Sequence, residues 1–258
     1  MNLNIQNKNA IVCGSTQGIG KASAIALANE GVNITLVARN EEKLKAVLAE
    51  LPNNNQNHTY LVADFSQPEE LKKALETTDL KFHILVNNTG GPKGGELLSA
   101  TSVDLINAFQ MHIVCNQILV QAVVPFMKEE KFGRIINVIS TSVKEPIPGL
   151  GVSNTIRNAV GNWAKTLASE LGQFQITVNN VLPGFTDTAR LEQIISMKAK
   201  QADTSEENIV KQLKGFVPAK RFAKAEETAA AVTFLSSEQA SYINGINLPV
   251  DGGRTKSL

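Results

Sequence analysis

Short apolar runs rich in Val, Ile and Leu alternate along this chain with longer stretches whose apolar positions recur at helical spacing. The runs Asn9–Cys13, Asn33–Ala38, Thr59–Ala63, Ile84–Val86, Arg134–Ile139, Ile176–Leu182 and Ile246–Val250 read as strands. Helical spacing fills Ile19–Asn29, Glu41–Glu50, Glu69–Glu76, Val103–Lys128, Val152–Leu171 and Glu226–Ser236. Strands that are apolar throughout are buried on both faces, and strict alternation with helices is the signature of βαβ units. The expected fold is a doubly wound α/β domain with a seven-stranded parallel sheet, one domain over residues 1–258.

Two stretches leave that rhythm. Pro52-Asn53-Asn54-Asn55-Gln56-Asn57 is a polar turn cluster and reads as a solvated loop. Residues from about Thr188 to Lys214 form a charged, amphipathic insertion between the sixth strand and the Glu226 helix. A substrate lid over 188–215 and a plain surface helical pair both fit it.

Composition then removes several classes of function. Of 258 residues, 43% are hydrophobic and 19% charged, enough for a full core. With 25 basic against 24 acidic residues there is no broad field for nucleic acid or an anionic membrane, so phosphate recognition has to be local. Cys13 and Cys115 are too few for a disulfide framework, and Met1 to Lys8 lacks the apolar core of a signal peptide, so a cytoplasmic location is expected. The longest apolar stretch, Ile118 to Met127, is broken by Gln121 and Pro125 and is short of the ~20 residues a membrane span needs. No nucleic-acid or membrane partner and no metal are expected.

The first strand runs into Gly14-Ser15-Thr16-Gln17-Gly18-Ile19-Gly20, and a helix follows. Glycines in a strand-to-helix turn let the backbone approach a pyrophosphate, and the free amides of the helix start favour an anion. Other blocks accompany this loop in order: Asn87-Asn88-Thr89-Gly90, Gly133-Arg134-Ile135-Ile136-Asn137-Val138-Ile139-Ser140, Pro183-Gly184-Phe185-Thr186, Ser241-Tyr242-Ile243-Asn244-Gly245, and Val250-Asp251-Gly252-Gly253. From about residue 5 to Gly253 the chain resembles the short-chain dehydrogenase/reductase family, and its closing segment resembles the 3-oxoacyl-carrier-protein reductases. The resemblance implies a Rossmann-like fold binding a nicotinamide dinucleotide.

Which dinucleotide is argued from the end of the second strand, Val37-Ala38-Arg39-Asn40, where a carboxylate would favour NAD and an arginine accommodates a 2′-phosphate. Arg39 there, facing the hydroxyls of Ser15 and Thr16, favours NADP(H), although a solvated arginine opening the Glu41 helix reads the same way. Asp64, followed by Phe65, resembles the family's aspartate at the adenine ring and is equally suited to capping the next helix. By resemblance Asn88 and Gly90 border the cofactor, while Pro183, Gly184, Phe185 and Thr186 hold its nicotinamide end.

The family reduces carbonyls with a serine that positions the oxygen, a tyrosine that gives the proton, a lysine that lowers the tyrosine pKa, and an asparagine that holds a water. Mapped by spacing, those places here are Ser140, Ser153, Arg157 and His112, the last twenty-one residues before Gly133. Only the serine is kept. Ser153 and Arg157 share a helix face, but an alcohol is a far weaker acid than phenol, and arginine does not shuttle protons. His112, with an ordinary pKa of ~6.5, is the side chain suited to proton transfer near neutrality. The expectation is a relay in which His112 supplies the proton through water or Ser153 while Ser140 and Arg157 stabilise the alkoxide. A histidine satisfied within a site that has lost its function is the rival reading.

Gly91-Pro92-Lys93-Gly94-Gly95 extends the turn at the mouth of that site. Lys93 and Arg190 are each suited to meeting a carboxylate or phosphate, or to plain solvation. The expected function is NADP(H)-dependent reduction of a carbonyl to an alcohol, on a small molecule or a 3-oxoacyl thioester, with an unusual proton donor. The alternatives are a nucleotide-binding regulatory or scaffold protein without turnover, and a non-redox proton transfer in the same cleft. The resemblance also implies a homo-oligomer, a tetramer built through the long Val103 and Val152 helices and the C-terminal segment.

Overall fold

In the computed structural model, which describes residues 1–79 and 81–257, the seven apolar runs form one parallel sheet. Its strands are β1 (Asn9–Cys13), β2 (Asn33–Ala38), β3 (Thr59–Val62), β4 (Ile84–Asn87), β5 (Gly133–Val138), β6 (Ile176–Pro183) and β7 (Asn247–Val250). They lie in the order β3-β2-β1-β4-β5-β6-β7. The order reverses between β1 and β4, and the crevice beyond the carboxyl ends of those two strands is where open α/β sheets bind ligands.

Alternate residues of each strand feed opposite layers. Ala10 and Val12 of β1 face helices α1 (Gly18–Asn29), α2 (Glu41–Glu50) and α9 (Ala225–Leu235) through Leu27, Val47 and Val232. Ile11 and Cys13 face α3 (Pro68–Leu75), α5 (Cys115–Glu129) and α6 (Gly151–Leu171) through Leu71, Leu119 and Ala164. Local chemistry sets several helix starts. Asn40 caps α2 by accepting from the Lys43 amide at 2.9 Å, Pro68 opens α3 where no amide is needed, and Thr101 and Asp104 form a reciprocal capping box on α4 (Ser102–Phe109).

The expected single helix Val103–Lys128 is interrupted. Between α4 and α5, residues Gln110–Val114 widen into a π-turn with His112 at its centre, a distortion that periodicity does not reveal. By length and composition Ser102–Glu129 is apolar enough to cross a membrane. Here Leu119, Val123 and Met127 of that span are instead buried against the sheet, while Val103, Ile106 and Phe109 are exposed.

The insertion folds as two helices, α7 (Ala189–Gln201) and α8 (Glu206–Gly215). They share their own small core of Leu191, Ile195, Ile209 and Leu213, against which Phe185 and Phe222 pack. A row of amides, buried except for the half-buried Asn247, crosses the other half of the molecule. Asn87 Nδ2 donates to Asn137 Oδ1 at 2.8 Å, Asn137 Nδ2 to Asn180 Oδ1 at 2.9 Å, and Asn180 Nδ2 to Asn247 Oδ1 at 2.8 Å, linking β4, β5, β6 and β7.

Candidate active site

The glycine loop is built so tightly that only glycine fits two of its positions. A β-carbon on Gly20 would stand 2.2 Å from the Gly14 carbonyl oxygen, and one on Gly14, whose φ is +59°, would stand 2.6 Å from the Asn88 carbonyl oxygen. Asn88 locks the two strand ends together by donating from Nδ2 to the carbonyls of Cys13 at 3.2 Å and Gly14 at 3.3 Å. Gln17 precedes α1 without a side-chain cap bond, leaving the first-turn amides facing the crevice. Ile19 packs into the adjoining core, and Gly18 approaches Thr188 at the start of α7.

Of the two hydroxyls expected to face a phosphate, Ser15's is committed inside the fold, where the buried side chain donates to the Val37 carbonyl at 3.4 Å. Thr16 is half-buried. Arg39 is exposed at the end of β2 and has no hydrogen bond or ion pair among the described residues, so its fork of donors is available to an anion. Asp64 is not the cap of α3. Its Oδ1 accepts from the Ser66 amide at 2.9 Å, while Gln67 holds the capping position. Phe65 buries its ring in the core and offers the crevice only backbone.

Arg157 lies within the protein. It donates from Nη1 to the Val138 carbonyl at 3.0 Å and from Nη2 to the Thr89 carbonyl at 3.4 Å, bridging the ends of β5 and β4, while its buried Nε has no partner. Burial, and then the charge of Arg190, lower its pKa to about 10, which leaves it protonated at neutral pH. Ser153, one turn earlier on α6, is half-buried and forms no hydrogen bond among the described residues. Ser140 follows β5, and its Oγ accepts from the Ser142 amide at 3.1 Å, so its own proton is free to be donated.

His112 departs from expectation. It is buried, with Nε2 unpartnered, and burial followed by the Arg157 charge pushes its pKa from 6.5 down to about 2 against an opposing hydrogen bond that the ring donates to the Gly90 backbone. At neutral pH it is therefore an uncharged imidazole, not the near-neutral acid that its residue type suggested. A neutral ring can pass a proton on, receiving at one nitrogen and releasing from the other, but holds no stored proton to give. Neither tyrosine replaces the missing phenol: Tyr60 donates to Glu41 at the sheet edge, and Tyr242 is fully exposed.

The glycine-rich loop at the mouth is anchored. Gly95 donates to the Gly149 carbonyl at 2.8 Å and accepts from the Gly151 amide at 3.0 Å, tying the loop to the start of α6. Arg190 of α7 donates to the Pro92 carbonyl at 2.9 Å. The Thr101 hydroxyl and amide hold the Asp104 carboxyl below its ordinary pKa, and the charge of Lys93 adds a smaller share. On the far side, Gly184 donates to the Val250 carbonyl at 2.9 Å at the end of Pro183, buried Thr186 donates to Gly184, and the Arg254 guanidinium lies 4.7 Å from the centre of the Phe185 ring. Arg254 also donates to Thr141 Oγ1 at 2.9 Å, so the C-terminal segment braces the turn after Ser140. That contact spans 113 residues, and no local motif announces it.

Comparison with known proteins places the fold and the family. The family profile described as "Enoyl-(Acyl carrier protein) reductase" matches residues 14–255. The NADPH-dependent reductase BacG of Bacillus subtilis (strain 168) is 29% identical, over 98% of this chain and 100% of its own. The 3-oxoacyl-[acyl-carrier-protein] reductase FabG of Haemophilus influenzae is 32% identical, over 96% of this chain and 98% of its own. The crystal structure of L-sorbose reductase from Gluconobacter frateurii, complexed with NADPH and L-sorbose, superimposes with a TM-score of 0.93 at 29% identity, covering 100% of both chains.

Proposed function

We propose that this chain, which belongs to the short-chain dehydrogenase/reductase family, is an NADP(H)-dependent oxidoreductase that reduces a carbonyl to an alcohol. One observation carries the reading: an intact nucleotide cradle opens beside a buried, charged Arg157 with an unspent Nε. The cradle fits the cofactor, since Gly14 and Gly20 sit where a side chain would collide and Arg39 offers free donors for the 2′-phosphate.

When bound, NADPH supplies the hydride and both electrons. Ser140 donates to the substrate oxygen, and Arg157 stabilises the negative charge that develops there as the carbonyl π bond breaks. The proton comes from water through the Ser153 hydroxyl, which stands on the same face of α6 as Arg157. His112 stands outside this route as a neutral ring: its Nε2 is buried without a partner and its other nitrogen is held by the Gly90 backbone, so it braces the Gly90 turn beside Arg157. The α7–α8 pair over 188–215 acts as the lid, and the exposed Val103, Ile106 and Phe109 of α4 mark a face for assembly into a tetramer. Cys13 and Cys115, both free and buried, fit a cytoplasmic setting.

Titration of NADPH and NADH by fluorescence, followed by NADPH oxidation against a panel of carbonyls, tests the proposal. Tighter binding of NADPH and turnover on some member of the panel are expected. Tight binding with no turnover on any carbonyl would favour a nucleotide-binding protein without catalysis.

A further inference from the structure

Two guanidinium groups converge at the mouth of this site with no carboxylate between them. The position that a β-carbon on Gly91 would take lies 3.8 Å from Arg190 Nη2 and 3.9 Å from Arg157 Nη2. Arg157 is only 8% exposed and keeps an unpartnered Nε. Arg190 is exposed and donates to the Pro92 carbonyl. Neither forms an ion pair among the described residues.

Holding two like charges this close is unfavourable, and a buried cation without a counter-ion is more so. The fold nonetheless enforces the arrangement. Arg157 is fixed by carbonyls at the ends of two strands, and Arg190 is fixed by the loop that Gly95 ties to α6. Gly91, which has no side chain, leaves room between them. Fixed cationic donors without a counter-ion are the features of a site whose missing partner arrives with the ligand.

We infer that Arg157 and Arg190 form a carboxylate subsite, so that the substrate is a carbonyl compound bearing a free carboxylate and not a neutral ketone or a thioester. The inference rests on the reductase reading and narrows it to oxo acids. Arg190 opens α7, so a carboxylate gripped there also draws the lid helices toward the glycine-rich loop. The group reduced remains the carbonyl, and the carboxylate leaves unchanged.

The test compares 2-oxobutanoate, acetoacetate and levulinate with their methyl esters. Binding to the NADP complex is measured by calorimetry, and turnover by NADPH oxidation. Acids are expected to be preferred over esters, and Arg190→Ala is expected to reduce kcat/KM and affinity for the acids about 10- to 100-fold, the range for a lost charge-assisted hydrogen bond. Values for the esters and the NADPH affinity should stay unchanged, and Arg190→Gln should behave as Arg190→Ala does. Equal use of acids and esters would overturn the inference. So would a loss of NADPH affinity in Arg190→Ala, which would assign the pair to the cofactor phosphates. If no carbonyl turned over, the reductase reading would fail while the acid-over-ester binding comparison still decided the subsite.

Discussion

A histidine held neutral in the folded chain but free to protonate in the unfolded one makes stability depend on acid. The folded pKa of His112 is lowered to about 2 from 6.5. Its contribution is therefore complete above pH 6.5 and is lost as pH falls below that value, because the unfolded state binds the proton first. Each pH unit below 6.5 should cost up to about 1.4 kcal/mol from this residue. Urea titrations at pH 7 and pH 5 should show a smaller acid loss for His112→Asn than for the parent, and equal losses would contradict the burial argument. Arg39 gives a second prediction at this scale. Arg39→Asp replaces free donors with a carboxylate, so NADPH affinity should fall at least about tenfold while NADH affinity changes little, as read by fluorescence titration. Residue types and spacings made Ser153, Arg157 and His112 visible as departures before any coordinates. Their state was not visible: the burial that keeps His112 neutral is set by packing, and the guanidinium that adds to it comes from α6, far along the chain.

Elements were legible wherever one period ran unbroken. β1, β2 and α2 have the bounds expected of them, and the other strands move by a residue or so. The π-turn at Gln110–Val114 was not legible, since one widened turn leaves the apolar spacing on either side intact. That the insertion forms two helices with a core of their own was not legible, because Leu191, Ile195, Ile209 and Leu213 meet only after the chain reverses. At the first βα turn the close packing gives a sharp prediction. Gly20→Ala would place a methyl 2.2 Å from the Gly14 carbonyl oxygen, backbone that has little freedom to yield. Thermal unfolding should fall by several degrees, and NADPH binding should weaken more than tenfold, whereas Gly90→Ala, which meets nothing within 4 Å, should cost little stability.

The described residues leave an apolar stripe uncovered on α4, with Val103 60%, Ile106 55% and Phe109 46% exposed. Ile106→Lys together with Phe109→Glu should shift the protein to a smaller species by light scattering, and an unchanged mass would remove this face from the proposed assembly. The row of asparagines has a consequence at the same scale. Asn87, Asn137, Asn180 and Asn247 sit directly opposite one another in the strand pairing. A sheet half made of Val, Ile and Leu slides at little cost, because one apolar neighbour replaces another. The amides remove that tolerance: a slip of one residue at any of the three seams would set an asparagine against Val86, Ile136, Val138 or Val181 and strand its buried donors and acceptors. All three bonds run in one direction, from β4 toward β7, so no single amide can turn over alone without breaking with its neighbour. The row thus works as a set of alignment pins. It fixes, in one stroke, how the end of β5 that presents Ser140 stands relative to the end of β4 that presents Thr89 and Gly90.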